Sequence, residues 1–187
     1  MKELILDTLG EGIPVIDNEL AGMMKKSAMV CLNHHQHQSG VQLYVEPEKI
    51  GFCTLHWTGH VTIEMLRQYA GTTAKSRNYA PTTRTIDDAT CAIALLFIRD
   101  NTEYTAFEKA TIGTTVDYYL RNQTTDSDLI FNNTARLEIS GILQTTPTNT
   151  MQGRLRQKQR RLVDEGLQTF IVIVEFSQPG LLMSIES

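Results

Sequence analysis

A chain of 187 residues with 41% hydrophobic and 20% charged side chains has the make-up of one globular domain, large enough to bury a core without staples. A formal net charge of −4 argues against a protein that coats nucleic acid through bulk positive potential, while leaving room for a local basic groove. Three widely spaced cysteines, Cys31, Cys53 and Cys91, suggest no disulfide framework. No apolar run nears the ~20 residues of a bilayer span. Asp7 interrupts the N-terminal apolar stretch too early for a signal peptide, so no membrane association and a cytoplasmic location are expected.

In chain order, Leu20, Met23, Met24, Ala28 and Cys31 fall at helical spacing and predict a helix over Glu19–Leu32, followed by a polar loop to Gly40. Two strands follow, Val41–Glu46 and Phe52–Trp57, broken by Pro47-Glu-Lys-Ile-Gly51. Thr62 is placed to cap a second helix that fades before Pro81. Asp87-Asp88 is expected to open a strongly apolar helix over Ala89–Arg99, with its acids at the favourable end of the dipole. Strands are predicted at Tyr104–Lys109, Thr115–Leu120, Thr134–Leu143 and Thr169–Phe176, with a polar loop over 121–133 and a helix over Met151–Glu165.

The expected fold is therefore α/β (α+β), a mixed central sheet flanked by helices, in a single domain over residues 1–187. An N-terminal elaboration (1–85) precedes an αβββαβ core (86–176) and a C-terminal tail (177–187). The tail's Leu181, Leu182, Met183 and Ile185 can pack on the domain or on a partner.

Two acidic strand motifs carry the chemistry. Gly113-Thr-Thr-Val-Asp-Tyr-Tyr-Leu120 and Ala135-Arg-Leu-Glu-Ile-Ser-Gly141 each set one carboxylate, Asp117 or Glu138, in an alternating segment. A carboxylate in an apolar strand is costly to bury unless it meets a partner, a hydrogen bond or a metal ion. Alternation puts Arg136, Glu138 and Ser140 on one face, with Leu137 and Ile139 on the other. If the two strands pair, Asp117 and Glu138 converge, and a hard cation relieves their repulsion. The competing structural account is a strand-terminating Asp117 and a Glu138 paired with Arg136 or Arg121.

The element order and the acidic pair resemble the PD-(D/E)XK nuclease superfamily, over about residues 86–176. The resemblance implies a metal-dependent phosphodiesterase in which Asp117 and Glu138 hold Mg²⁺ or Mn²⁺. Ser140 stands where the family has lysine, removing a positive charge, so Arg136, Lys109 or Lys158 is the expected replacement. Glu108 is a candidate third carboxylate. Arg136 remains protonated near neutral pH and suits charge stabilisation rather than base chemistry. The alternative is a catalytically inactive nuclease-fold module, a pseudoenzyme, that binds nucleic acid or a partner protein in a bacterial defence or DNA-processing assembly. A structural homo-oligomer subunit is the third reading.

Arg154-Leu-Arg-Gln-Lys-Gln-Arg-Arg161 has five basic residues in eight positions. Arg154, Lys158 and Arg161 share a helical face, suited to a phosphate backbone. A solvated helix face is the alternative, weakened by the absence of acids from Met151 to Val163. Cys31, His34, His35 and His37 invite a zinc reading, set against that of a polar loop. No phosphate-loop, dinucleotide or serine-hydrolase motif is present.

Overall fold

A computed structural model describes residues 2–46, 51–72, 79–111, 113–123, 135–162 and 166–186. The chain begins with β1 (Lys2–Ile5), a short 3-10 turn (Leu6–Thr8), α1 (Asn18–His34), β2 (Val41–Glu46), β3 (Gly51–His56) and α2 (Ile63–Tyr69). The small hairpin strands β4 (Ala70–Thr72) and β5 (Tyr79–Pro81) lead into α3 (Thr83–Asn101). Then come β6 (Tyr104–Lys109), β7 (Tyr118–Asn122), β8 (Ala135–Ile142), α4 (Met151–Gln159), β9 (Gln168–Glu175) and β10 (Gly180–Glu186). From α3 to β9 the order is αβββαβ, as the sequence predicts.

Eight strands form one mixed sheet in the order β1-β3-β2-β10-β9-β8-β7-β6. Within the C-terminal tail, Gly180–Glu186 is a strand that packs into the domain itself. Antiparallel to β9 and parallel to β2, β10 joins the N-terminal strands to the rest of the sheet. The parallel pair β8–β9 runs from Ala135↔Gln168 to Ile142↔Glu175, with α4 in the crossover that parallel strands require.

The core lies mainly on one face. Leu43, Leu55, Leu137, Phe170, Val172 and Leu181 pack with Met24, Ala28 and Leu32 of α1 and with Ile93 and Leu96 of α3. On the other face Ile142, Ile171, Ile173 and Leu182 meet Met151, Leu155 and Leu162 of the α4 region. Being covered on both sides, β9 needs an apolar residue at nearly every position, which explains its unbroken Phe-Ile-Val-Ile-Val run. Among the described residues no helix is long and apolar enough to cross a membrane.

Of the boundaries that differ from the sequence reading, three bear on the site. The third helix starts at Thr83, because the Thr82 side chain accepts from the Thr85 N–H at 3.2 Å and Pro81 ends the preceding strand. Asp87 and Asp88 therefore lie beyond its first turn and do not open it. Thr115–Asp117 are not in β7, since the Thr114 hydroxyl bonds the carbonyls of Thr111 and Val116 and holds a turn in place of a ladder. The basic helix ends at Gln159, short of the expected Glu165. Expectations for 47–50, 73–78, 124–134 and 163–165 lie outside the described residues.

Gly141 of β8 faces α3 at close range. An added Cβ would fall on the Thr90 hydroxyl and within 3.1 Å of Ile86 Cγ2. Gly141→Ala is expected to destabilise by about 1–3 kcal/mol through overpacking. Pairing it with Thr90→Ala should recover part of that loss in a denaturant double-mutant cycle, and simple additivity would refute the contact.

Candidate functional site

The site forms where β7 leaves β8. Ladder pairing runs from Leu120↔Ala135 to Tyr118↔Leu137. Asp117 then donates its backbone N–H to the Leu137 carbonyl at 2.9 Å, and its Oδ2 accepts the Ile139 N–H at 2.7 Å. The side chain thus takes the place of the next ladder partner. This anchors one carboxylate oxygen of Asp117 to β8.

Glu138 points to the α4 side of the sheet and is only 8% exposed. Its carboxyl lies within hydrogen-bonding reach of that of Asp117, so the two predicted acids do converge. A bond between two carboxyls requires one of them to hold a proton. Lys158 Nζ also donates to Glu138 Oε1. Burial, aided by Asp117, outweighs that lysine and pushes Glu138 up to about 7.

The position of Lys158 follows from α4. Thr150 caps the helix by accepting from the Gly153 N–H at 3.1 Å, and Leu155 packs on the sheet. Lys158, one turn further along, overhangs β8 from the same side. Arg154 is steadied by donation from Nε to Asn149 Oδ1 at 2.8 Å.

Two clefts meet here, both lined by Asp87, Asp117, Ile139, Ser140 and Gly141. The more polar one, about 560 Å³, adds Arg154 and Lys158. The other, about 270 Å³, runs between Met24 of α1 and Cys91 and Tyr118. Burial pushes the Cys91 thiol up to about 12, so it is neutral at physiological pH and not a thiolate nucleophile.

Glu138 therefore lies against both Asp117 and Lys158, and Ser140 and Arg154 line the larger cleft together with Asp117 and Lys158, while Glu138 itself lines neither cleft. Arg136 is not brought to either cleft. It is 2% exposed and donates from Nε to Thr169 Oγ1 at 3.1 Å, toward the opposite end of β8. Arg161 is exposed beyond the end of α4 and lines neither cleft. Glu108 is likewise exposed and away from both.

The third acid near Asp117 is instead Asp87 of α3. Burial raises its pKa first, then Asp88 and Asp117, with Lys158 acting against them. Its signal in the sequence was a polar stripe, Asp87, Thr90 and Cys91, at i, i+3 and i+4 in an otherwise apolar helix. In the Cys31-to-His37 run the histidine rings are neighbours, but two of them and the cysteine face backbone carbonyls. His35 Nε2 lies 2.7 Å from the Leu143 carbonyl, His37 Nε2 3.2 Å from that of Ser177, and buried Cys31 faces the Thr85 carbonyl. Among the described residues no group of three His, Cys, Asp or Glu is arranged to hold a metal ion.

No family model, curated protein or solved structure matches this chain.

A carboxyl whose folded pKa is raised binds its proton more tightly than the unfolded chain does. Stability from Glu138 is then fully present below about 4.5 and declines as pH rises through about 7. In metal-free buffer the thermal midpoint of Glu138→Gln is expected to gain on wild type across that interval. Parallel pH profiles for the two proteins would disprove the shift.

Proposed function

We propose that the chain is a divalent-metal-dependent phosphodiesterase acting on nucleic acid, a nuclease-like hydrolase with a rearranged PD-(D/E)XK site. The observation carrying this reading is the contact between the Asp117 and Glu138 carboxyls at the junction of two clefts, with Lys158 Nζ on Glu138. The donor set fits a hard cation. Two crowded carboxyls, one held partly protonated by burial, are what Mg²⁺ or Mn²⁺ would relieve, and such ions are content with few protein oxygens plus waters. Asp117 and Glu138 would hold the ion, which when bound supplies positive charge to the phosphate and acidifies a coordinated water.

The remaining roles belong to the chain's own side chains. Lys158, reaching in from α4, supplies the positive charge that Ser140 lacks. Ser140 contributes a neutral hydroxyl to the cleft wall. Arg154 and Lys158 line the larger cleft and suit a phosphate backbone, while Arg161 extends the positive surface past the helix end. Arg136 takes no part in this arrangement. Its buried bond to Thr169 supports a packing role in β8–β9.

One observation favours the inactive-module reading. The Lys158–Glu138 pair and the Asp117–Ile139 bond leave the site largely balanced without a metal. Such a protein would bind nucleic acid or a partner protein and cleave nothing.

With Mg²⁺ or Mn²⁺, cleavage of single- or double-stranded DNA or RNA is expected, falling at least a hundredfold in Glu138→Ala. Undiminished cleavage by that variant would sink the assignment. Salt-sensitive nucleic-acid binding without cleavage would support the inactive module.

Saturating Mn²⁺ at about a hundred times its Kd should stabilise wild type by about 2.7 kcal/mol. Asp117→Asn should lose that shift in thermal unfolding, because an amide keeps an acceptor for the Ile139 N–H and drops the charge. A shift that survives in the variant would place the ion elsewhere.

A further inference from the structure

The smaller cleft is unlike the phosphate-facing one, and its lining is specific. One wall is apolar: Val15 and Ile16 before α1, and Leu20 and Met24 on it. The lining also carries Asp87 and Asp88 of α3 and Lys109 at the end of β6. At about 270 Å³ it lies at the small end of ligand pockets, which run from ~300 Å³ upward. That volume suits one ring system rather than a length of polymer. It opens on Asp117 and Ser140, which also line the larger cleft, so a group in it is continuous with a phosphate held beside Arg154 and Lys158.

From this we infer that the smaller cleft is a nucleobase pocket selective for guanine, occupied by an unpaired or extruded nucleotide whose phosphate is held beside Arg154 and Lys158. The inference rests on the phosphodiesterase or nucleic-acid-binding reading of the site. An apolar wall with a methionine favours an aromatic ring face. The charged lining sets the base. A carboxylate only accepts and an ammonium only donates. Asp88 and Lys109, close enough to interact electrostatically, therefore ask for paired N–H donors beside an acceptor. Guanine alone among the bases offers that edge, with N1–H and the N2 amino group next to O6. Arg84 approaches Asp88 only at 3.8 Å and is 82% exposed, a weak competitor for the carboxylate.

The test is equilibrium binding to the full chain without metal, by calorimetry. The probes are the 5′-monophosphates of deoxyguanosine, deoxyadenosine and deoxycytidine, and the abasic deoxyribose 5-phosphate. Deoxyguanosine monophosphate should bind at least tenfold tighter than any of the others. Asp88→Asn should erase that preference, as should the pocket-filling Leu20→Trp at a site already 36% exposed, each leaving the abasic affinity unchanged. Equal affinity for the guanine and abasic probes overturns the inference, as does a preference that survives both variants or no guanine-nucleotide binding at millimolar concentration. Because the readout needs neither metal nor cleavage, it is separate from the nuclease assay. Metal-dependent cleavage without base preference would sink the pocket alone, and base preference without cleavage would sink the catalytic reading alone.

Discussion

The parallel pairing of β8 with β9, buried on both faces, is the constraint on which the remaining architecture hangs. Parallel neighbours need a crossover, and here the crossover must also shield Ile171 and Ile173 from water. That requirement lays α4 across the sheet with Leu155 inward. Helical periodicity then suspends Lys158 over β8, where Glu138 is the acid within reach. Packing that hides a few apolar side chains thereby also determines which cation meets which carboxylate. The same sheet extends outward through β10, whose pairing with β2 makes the N-terminal strands part of one continuous core.

Against this background the acidic cluster is a local concession. Glu138 is buried beside Asp117, which also has Asp87 close by, an arrangement that apolar packing alone would not choose. Lys158 offsets part of the cost, and burial beside Asp117 favours the protonated form of Glu138. Such residual electrostatic tension is common where a site is built to receive charge. It stands in contrast to the histidine run, whose ring nitrogens bond backbone carbonyls and tie the loop after α1 to the turns after β8 and β9. There the polar groups are satisfied locally.

Much of the architecture was legible along the chain because the periodicities were strong. Val41–Glu46 and Tyr104–Lys109 coincide with β2 and β6, and the apolar stretch after Ala89 is the heart of α3. The failures share a cause in side-chain bonds to backbone. Thr82 starts α3 a turn and more before the acids, and Thr114 and Asp117 hold back the start of β7 to Tyr118. A short polar side chain that competes with the ladder or supplies a cap leaves no mark on hydrophobic periodicity.

At the site, the convergence of Asp117 with Glu138 was readable from strand alternation, since period two assigns faces without knowing the partner. Which basic residue joins them was not. Arg136, Lys109 and Lys158 were all candidates by charge, and only the crossing of α4 over β8 singled out Lys158, while Arg136 bonds Thr169 on the neighbouring strand. Asp87 was hidden for the same reason, because a helix face acquires meaning only once another element packs against it. The sequence by itself determined the α/β class, the order of the core elements and the face on which Glu138 lies, all consequences of local period and side-chain alternation. The tertiary structure decided the insertion of β10, the choice of Lys158 and the meeting of two clefts at Asp117. Those depend on contacts between segments far apart in the chain, which no local pattern encodes.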